Sequence, residues 1–394
     1  MLTPVLAFAL GAFAVGTTEF VVIGLLPTIG ADLGVDIATA GLLVTGYAIG
    51  IAVGGPILTF ATRRMAKRTV LVALMAGFAV AHLVLAVAPT FEFLLLGRLV
   101  TASAHGAFFA VGAIVAAETA EPGHEGRAIG LMFTGLTVAT VIGVPLGTFV
   151  GQMTSWRLPF VVVAGLALVA AVAIHLRVPK QARREGIARS VQVNVGALAL
   201  ALATTVIGFG SQFVVFTFLA PFLEEVTGIP LGAISPLLVV FGLASAIGTT
   251  IGGRASDRWP RTTLPVALAL LASVLAGLGL AGHVASAVIP LLFAWGVAGF
   301  ILSPALQARV VSAAGPENTL ASSLNISAFN VGIATGSLVG TAVVAGGGLA
   351  ATPFVAAGIA AFAILPAAFG SVVLISARTP EAPGIGAPAG TASD

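Results

Sequence analysis

The sequence predicts an all-α membrane protein in which twelve transmembrane helices form two six-helix, pseudo-symmetric halves. Three observations support this fold class: an apolar composition, twelve apolar runs of membrane-spanning length, and an internal repeat. Of the 394 residues, 58% are hydrophobic and 8% are charged, and the mean hydropathy is +1.13. Because soluble domains carry about 25% charged residues, this chain has too few of them to cover a water-facing surface.

Twelve apolar runs follow one another along the chain, and about 20 residues suffice to cross a bilayer core. Each run can satisfy its backbone hydrogen bonds within the segment only as a helix. The first run lacks a charged leader and a small-residue cleavage site, so we expect a retained helix rather than a signal peptide. The runs cover about 5–29, 38–62, 69–88, 92–117, 127–151, 157–177, 194–222, 232–254, 262–283, 286–311, 318–343 and 351–376.

A repeated octapeptide indicates that the chain has two similar halves. AIGIAVGG at 48–55 and AIGTTIGG at 246–253 share one skeleton, and GVPLGT at 143–148 and GSLVGT at 336–341 recur at nearly the same separation. Two six-helix repeats with a site between them are a recurrent transporter architecture. We therefore expect an N-terminal six-helix bundle (1–177), a cytoplasmic linker (178–193), a C-terminal six-helix bundle (194–376) and a disordered cytoplasmic tail (377–394).

Lysine and arginine are concentrated in the loops after the second, sixth and eighth runs. The positive-inside rule assigns these loops, and with them both termini, to the cytoplasm. The abundance of Ala, Gly and Arg with little Lys is typical of a high-GC bacterial gene, so we expect a multi-pass protein of a bacterial inner (plasma) membrane. The basic residues of the three loops are Arg63, Arg64, Lys67 and Arg68; Arg177, Lys180, Arg183, Arg184 and Arg189; and Arg254, Arg258 and Arg261.

Two charged residues lie away from the ends of the predicted helices: Glu19 near the middle of the first, and Arg98 in the outer half of the fourth. A central charge costs roughly 2.5–3.5 kcal/mol on insertion scales, and such residues usually face a cavity and mark proton or ion pathways. Arg98, Thr101 and His105 are spaced i, i+3 and i+7, so they share one face of the fourth helix. Glu19, Arg98 and His105 are therefore the candidates for proton coupling.

Two roles for these residues remain open. A low-dielectric site raises the pKa of a carboxylate in general, whereas a nearby arginine lowers it. If its surroundings alternate between those influences, Glu19 would carry the coupling proton, Arg98 would tune it or organise the cavity, and His105 would be a polar ligand or relay. Alternatively, Glu19 and Arg98 form a static pair that positions two helices, and His105 makes a structural hydrogen bond.

Several motifs resemble the major facilitator superfamily over essentially the whole chain. GGRASDRWPRTTL at 252–264 is similar to its signature Gly-x-x-x-Asp-Arg-x-x-Arg, with Gly253, Asp257, Arg258 and Arg261 at the motif positions. The first-half copy, GGPILTFATRRMAKRTVL at 54–71, keeps Gly55 and Arg63 but has Thr59 in place of the Asp and Phe60 in place of the Arg. In the family this set is thought to latch the cytoplasmic side of the outward-open state.

Other stretches resemble the drug–proton antiporter group of that superfamily, in particular its sugar and chloramphenicol exporters. They are GTTEFVVIGLLP at 16–27, RLVTASAHGAFFAV at 98–111 and GVPLG at 143–147. The resemblance implies the major facilitator fold and, through GVPLG, antiport. Gly143 and Gly147 would also let backbones approach closely, while Pro145 removes one helix hydrogen bond, so close packing and a hinge are both compatible with this motif.

A transport cavity also needs side chains that contact the substrate, and here aromatic and amide residues are the candidates. A phenylalanine stripe in a membrane helix more often faces lipid or the core, so this set competes with a purely structural interpretation. The candidates are Phe20, Thr101, Phe108, Phe109, Gln212, Phe213, Phe216, Asn325 and Asn330.

The function predicted from these residues is secondary transport by alternating access. Cysteine is absent, no phosphate-binding Gly-x-x-x-x-Gly-Lys loop occurs, and no catalytic cluster lies within the runs. An ATP-driven pump or intramembrane enzyme is therefore disfavoured, and the two repeats favour a transporter over a channel. We expect a monomer without cofactor, metal or nucleic acid that exchanges protons for small amphipathic drugs such as chloramphenicol-like compounds. The alternative substrates are sugars or nucleosides.

Overall fold

A computed structural model of the chain describes residues 2–121, 124–179, 193–315 and 319–376. Within these residues, twelve helices are long and apolar enough to cross a membrane, as predicted. They are α1 (Pro4–Leu33), α2 (Ile37–Thr62), α3 (Lys67–Ala86), α4 (Phe91–Glu118), α5 (Glu125–Met153), α6 (Arg157–Arg177), α7 (Val195–Phe216), α8 (Leu231–Arg258), α9 (Thr263–Ala281), α10 (Ala285–Ala314), α11 (Ala321–Ala345) and α12 (Leu349–Gly370).

The predicted spans agree with these helices to within a few residues at most boundaries. The seventh differs most, because α7 ends at Phe216 and is followed by short helical turns at Leu219–Pro221 and Phe222–Val226, whereas the helix of α12 continues past Gly370 to Ser376. Most of the predicted linker (180–192) and the predicted tail (377–394) lie outside the described residues.

Polar caps begin two of the N-terminal helices. The Asp36 carboxylate accepts hydrogen bonds from the backbone N–H of Thr39 at 2.8 Å and from its hydroxyl at 3.0 Å. These bonds hold the pKa of Asp36 below its ordinary value. Thr90 caps α4 in the same way by accepting from the Phe93 N–H at 3.3 Å. Both caps satisfy donors that the first turn of a helix leaves free.

The helix contacts repeat between the halves, which confirms the pseudo-symmetric fold. In the N-terminal six, α1 packs on α5, α2 on α4, and α3 on α6. In the C-terminal six, α7 packs on α11, α8 on α10, and α9 on α12. Between the halves, α2 packs on α11 and α5 packs on α8, which are equivalent pairs under the same symmetry.

Two helices of the N-terminal half contain a wide π-helical turn, and each turn lies just before a proline. Gly50–Gly54 in α2 is followed by Pro56, and Ala139–Gly143 in α5 is followed by Pro145. Proline has no N–H to bond the carbonyl four residues earlier, so the helix relaxes locally to a wider turn. In the second-half octapeptide, where no such proline follows, α8 continues as a regular α-helix.

The hydrogen bonds described between the halves lie toward one end of the bundle. We call this the acidic end, because its loops carry Asp36, Glu224 and Glu225, and the other the basic end, which carries the α2–α3 and α8–α9 loops. At the acidic end, Thr45 Oγ1 donates to Ser337 Oγ at 2.9 Å, and Ser235 Oγ donates to the Pro145 carbonyl at 2.6 Å. The structure thus joins α2 to α11 and α5 to α8 near that end.

Candidate functional site

Glu19 lies deep in α1, far from either end of that helix. The other acidic residues described in the twelve spans lie near helix ends. The side chain is half-buried rather than enclosed. It belongs to neither ion pair within 4.0 Å found among the described residues, which join Lys67 to Glu118 and Arg157 to Asp32. Glu19 and Arg98 are neighbours, since the Arg98 guanidinium donates to the Glu19 carbonyl, but no salt bridge joins the Glu19 carboxylate to Arg98.

Arg98 is fully buried, and its guanidinium rests on the main chain of α1. Nη1 donates to the Thr18 carbonyl at 2.8 Å, and Nη2 donates to the Glu19 carbonyl at 3.4 Å. The guanidinium carbon also lies 3.9 Å from the centre of the Tyr47 ring. A buried cation needs such partners because its desolvation is costly. Arg98 thus connects α4 to α1 and α2.

His105 and Thr101 lie on the same helix as Arg98, as their spacing predicts, and both are buried. His105 Nδ1 is 3.2 Å from the Tyr47 hydroxyl, and its ring centre is 5.1 Å from that of Phe109. Thr101 Oγ1 donates to the carbonyl of Arg98 itself at 3.0 Å. Tyr47 therefore contacts Arg98 with its ring and His105 with its hydroxyl.

His82, on α3, extends this polar cluster on the other side of Arg98. Its Nε2 is 2.9 Å from the Thr18 hydroxyl, and its Nδ1 is 2.8 Å from the Phe78 carbonyl. His82, Tyr47 and Thr18 are not among the residues predicted from the sequence to form the site. The signal for Tyr47 was available, since it is the single tyrosine of the chain and stands next to the repeated octapeptide.

A small aromatic cavity, with a volume of about 20 Å³, lies between the two halves. Phe20, the residue after Glu19, forms part of its wall from the N-terminal half. Phe216 faces it from α7, and its ring stacks on Phe241 with centres 4.8 Å apart. The wall is completed by Thr140, Val144, Leu238, Phe241, Ser245 and Phe300.

Of the predicted substrate contacts, Phe20 and Phe216 line this cavity. Phe213 lies directly behind them, with its ring centre 6.4 Å from Phe20 and 5.5 Å from Phe216. Phe108 and Phe109 pack instead in the apolar core of the N-terminal half, at 0% and 5% exposure. Phe108 and Phe109 therefore lie outside the wall of this cavity, and their contact with substrate stays a prediction.

The three predicted amides are all buried in the C-terminal half. Asn325 accepts from the Thr205 hydroxyl at 2.8 Å and donates to Gln307 at 2.7 Å, which fixes it inside the bundle. Gln212 accepts from the Trp295 indole N–H at 3.3 Å, while its Nε2 is buried without a hydrogen bond. Asn330 donates to the Ile326 carbonyl, and its Oδ1 likewise has no hydrogen bond.

Close helix approach accounts for several of the predicted motif glycines. A Cβ at Gly55 would lie 2.9 Å from the Cα of Gly106 on α4, and one at Gly147 would lie 2.8 Å from Val21 on α1. A Cβ at Gly143 would overlap Thr17 on α1. These glycines therefore permit contact between neighbouring backbones, and the separate hinge role of Pro145 stays a prediction.

The predicted latch residues lie at the basic end. Arg63 is exposed, and its guanidinium carbon is 3.7 Å from the centre of the Phe60 ring. Asp257 and Arg258 are exposed on the last turn of α8, and Gly253 has open space where a Cβ would be. Arg309 on α10 donates to the Arg261 carbonyl at 3.3 Å.

Within the described residues, no group of three His, Asp or Glu side chains could hold a metal ion.

Curated bacterial proteins match this chain over most of its length. The inner membrane transport protein YdhP of Escherichia coli (strain K12) is 37% identical over 380 residues, which cover 95% of this chain and 96% of that protein. The chloramphenicol resistance protein of Streptomyces lividans is 36% identical, with 85% and 88% covered. A probable sugar efflux transporter of Helicobacter acinonychis (strain Sheeba) is 29% identical, with 86% and 88% covered.

Solved structures show the same fold at low sequence identity. A bacterial homologue of the human lysosomal transporter Spinster superposes with a TM-score of 0.77 at 15% identity, covering 96% of this chain and 98% of that one. A D-xylose–proton symporter gives a TM-score of 0.76 at 16% identity, with 92% and 96% covered.

The family model described as Major Facilitator Superfamily matches residues 8–318 and, in a second match, residues 200–392. These two matches together span nearly the whole sequence, and the drug and sugar exporter branch indicated by the motifs is represented among the relatives. Members of this family are transporters rather than enzymes. The chain belongs to the Major Facilitator Superfamily and is a multi-pass membrane transporter.

Proposed function

We propose that this protein is a proton-coupled exporter of small amphipathic, aromatic-containing compounds, such as chloramphenicol-like drugs, that works by alternating access. The observation that carries the proposal is the position of Glu19. It is a half-buried acid in the middle of α1, and its neighbour Phe20 lines the aromatic cavity between the halves. A proton-binding group and a substrate surface thus follow each other along one helix.

The cavity wall favours apolar and aromatic ligands. Four phenylalanines contribute to it, and the polar side chains among its lining residues are the hydroxyls of Thr140 and Ser245. Aromatic rings attract flat apolar groups through burial and ring–ring geometry, and two hydroxyls provide orientation. The name of the chloramphenicol resistance protein, 36% identical to this chain, agrees with that substrate class.

Exchange follows from the cost of moving a charge through an apolar interior. With a proton on Glu19, or with substrate bound in its place, the site can change its access from one side to the other, whereas the empty site with its charged carboxylate cannot. Release of the proton allows the substrate to bind from the cytoplasm, and the next protonation from outside favours substrate release. The proton gradient then drives export without ATP.

The access of the described state depends on the orientation in the membrane, which the positive-inside rule predicts. If the basic end is cytoplasmic, both termini are cytoplasmic as well, and the hydrogen bonds at Thr45 and Ser235 lie on the outer side. The halves are then joined outside, as expected for an inward-facing exporter in a bacterial inner membrane. The protein acts as a monomer in this proposal, with lipid around it.

A second candidate function is export of sugars or nucleosides. The buried Gln212 Nε2 and Asn330 Oδ1 favour it, because both polar atoms have no hydrogen bond and could bind substrate hydroxyls. The name of the Helicobacter relative, a probable sugar efflux transporter, agrees with this alternative.

The test is transport by purified protein in liposomes that contain a pH-sensitive dye. Substrate gradients are imposed across liposomes that contain wild type, Glu19→Gln or Glu92→Gln. The compounds are chloramphenicol-like drugs, cationic dyes, pentoses and nucleosides. Glu92→Gln is a matched control at an exposed acid of α4. We expect drug-driven proton flux that is lost in Glu19→Gln and kept in Glu92→Gln. Flux that is unchanged in Glu19→Gln would overturn the role of Glu19, and flux driven only by pentoses or nucleosides would select the second function.

A further inference from the structure

A chain of hydrogen bonds leads from α3 through α1 to the buried cation on α4. The Phe78 carbonyl can only accept, so the contact of 2.8 Å requires a proton on Nδ1 of His82. His82 is fully buried between the rings of Phe78 and Phe160, close to the Arg98 cation, and a second positive charge there would be costly. Nε2 is then unprotonated, so it accepts from the Thr18 hydroxyl at 2.9 Å.

This arrangement fixes the orientation of the Thr18 hydroxyl. Its proton points to His82, so its oxygen lone pairs are available to Arg98 Nη1 at 3.4 Å. The same Nη1 donates to the Thr18 carbonyl at 2.8 Å, and Nη2 donates to the Glu19 carbonyl. Both terminal nitrogens of Arg98 are thereby directed to the main chain of α1 rather than to the Glu19 carboxylate.

The remaining contacts of Arg98 act in the same direction. Its guanidinium carbon lies over the Tyr47 ring, 3.9 Å from the ring centre, on the side chain of α2 rather than on the Glu19 carboxylate. An arginine that could turn freely would pair its fork with the adjacent carboxylate, since bidentate pairs with carboxylates are its strongest contacts. The absence of that pair among the ion pairs of the described residues points to a restraint, and the Thr18 hydroxyl, 2.9 Å from His82 Nε2 and 3.4 Å from Arg98 Nη1, is placed to provide it.

We propose that His82 and Thr18 are positioning residues that hold Arg98 on the main chain of α1, so that Glu19 stays free of an ion pair and can exchange its proton. This inference rests on the proposed function, because it assigns a purpose to the proton on Glu19. His82 and Thr18 touch neither the aromatic cavity nor the Glu19 carboxylate in the described contacts. They act through Arg98.

The surrounding helices contribute few other ionisable groups. At this depth Tyr47 comes from α2, His82 from α3, and Arg98 and His105 from α4. The ionisable residues described on α5 and α6 lie at the helix ends. The facing helix α7 has none, and Glu224 and Glu225, which follow it, lie at the acidic end. Changes in the proton exchange of Glu19 can therefore be assigned to this cluster.

The test uses infrared difference titration of the reconstituted, full-length protein. The band of the protonated Glu19 carboxyl is assigned by its loss in Glu19→Gln and followed against pH. Thr18→Val removes the hydroxyl at constant shape, and Thr18→Ser keeps it. His82→Leu removes the acceptor, and His82→Gln returns a polar atom near the place of Nε2. Size-exclusion chromatography and thermal unfolding verify that each variant is folded.

In Thr18→Val and His82→Leu, we expect the released Arg98 to pair with Glu19, so the midpoint of the carboxyl band moves to lower pH by about one unit. The pH profile of proton-coupled transport should move with it, while substrate affinity stays within about twofold. Thr18→Ser and His82→Gln should keep the wild-type midpoint. An unchanged midpoint in folded Thr18→Val, or an equal shift in Thr18→Ser, would overturn the proposal.

The two proposals fail in different ways. If Glu19→Gln leaves drug-driven proton flux unchanged, the proposed function fails, and the infrared midpoints still decide whether Thr18 and His82 position Arg98. If Glu19→Gln abolishes the flux while Thr18→Val has the wild-type midpoint, only the positioning role fails.

Discussion

The two halves share one frame but differ in what they bury at its centre. In the N-terminal half, α1 is a continuous helix and holds Glu19 against the buried Arg98 of α4. In the corresponding α7, a π-helical turn at Thr205–Phe209 and an irregular stretch to Val226 interrupt the helix. The side chains packed there are aromatic, and the Phe216 ring stacks edge-on against Trp295 with centres 5.7 Å apart.

A pseudo-symmetric fold therefore does not impose the same chemistry on its two halves. Charges are placed on the half whose first helix is regular, where carbonyls and aromatic rings can hold a cation in a fixed position. The interrupted α7 instead buries aromatic rings and the single amide side chain of Gln212. Under the proposed function, the N-terminal half handles the proton, and the C-terminal half provides most of the surface for the substrate.

The largest effect is expected from replacing the buried cation of the N-terminal half. Arg98→Lys keeps the charge but loses the planar fork that reaches two carbonyls while it stacks on Tyr47. We expect the rate of proton-coupled transport to fall by about 100-fold, because a displacement of about 1 Å in a reacting group can reduce a rate by that factor. Arg177→Lys, at the exposed end of α6, should transport like wild type. Transport by Arg98→Lys at the wild-type rate would remove the special role of the N-terminal half.

An intermediate effect is expected in the aromatic half. Phe300 lines the cavity, and Phe300→Leu removes a ring that faces Phe209 and Phe241 with centres 6.3 Å and 6.1 Å away. We expect drug affinity, measured by calorimetry, to fall about tenfold, since aromatic pairs contribute about 0.5–1.5 kcal/mol beyond burial. Phe362→Leu, on the exposed face of α12, is the control. Equal affinities in wild type and Phe300→Leu would separate the substrate site from the cavity.

The smallest effect is expected where the halves meet. Ser337 accepts from Thr45 at 2.9 Å and donates to the Gly41 carbonyl at 3.3 Å, so Ser337→Ala weakens the closed acidic end. A loss of ~1 kcal/mol would change the population of closed molecules by roughly fivefold. Spin labels on Ala31→Cys and Glu225→Cys can report the distance between the two halves at the acidic end. Both sites are specific, because the natural chain has no cysteine.

In double electron–electron resonance, a larger fraction of the Ser337→Ala molecules than of wild type should have the long distance between the two labels. Ser273→Ala, which removes an exposed hydroxyl bonded within α9, should leave the distribution unchanged. Identical distributions in all three proteins would show that this hydrogen bond does not hold the halves together.

The sequence alone was sufficient for the twelve helices and for the depth of Glu19 and Arg98. Both follow from local physics, since an apolar run must become a helix in lipid and a charge in such a run is conspicuous. The face shared by Arg98 and His105 was also predictable from helical spacing. Their partners were not, because Tyr47 and His82 reach them from other helices, and contacts between helices have no short-range signature.

The wall of the aromatic cavity likewise depends on contacts between helices that the sequence does not indicate. Phe20 and Phe216 were predicted on it, but Phe241 and Phe300 belong to α8 and α10, and no spacing within one helix indicates that they meet. The repeated octapeptide is a further example. It correctly indicated two halves, yet the copy in α2 contains a π-helical turn before Pro56 and the copy in α8 does not.

The proposed division of tasks between the halves can be tested by counting the protons released when substrate binds. Protein in weakly buffered detergent solution is saturated with a chloramphenicol-like drug, and the protons released per bound drug are counted for wild type, Glu19→Gln and Phe300→Leu. We predict release in wild type, drug binding without release in Glu19→Gln, and weaker binding with the wild-type proton count in Phe300→Leu. Release of the same number of protons by Glu19→Gln would contradict the account.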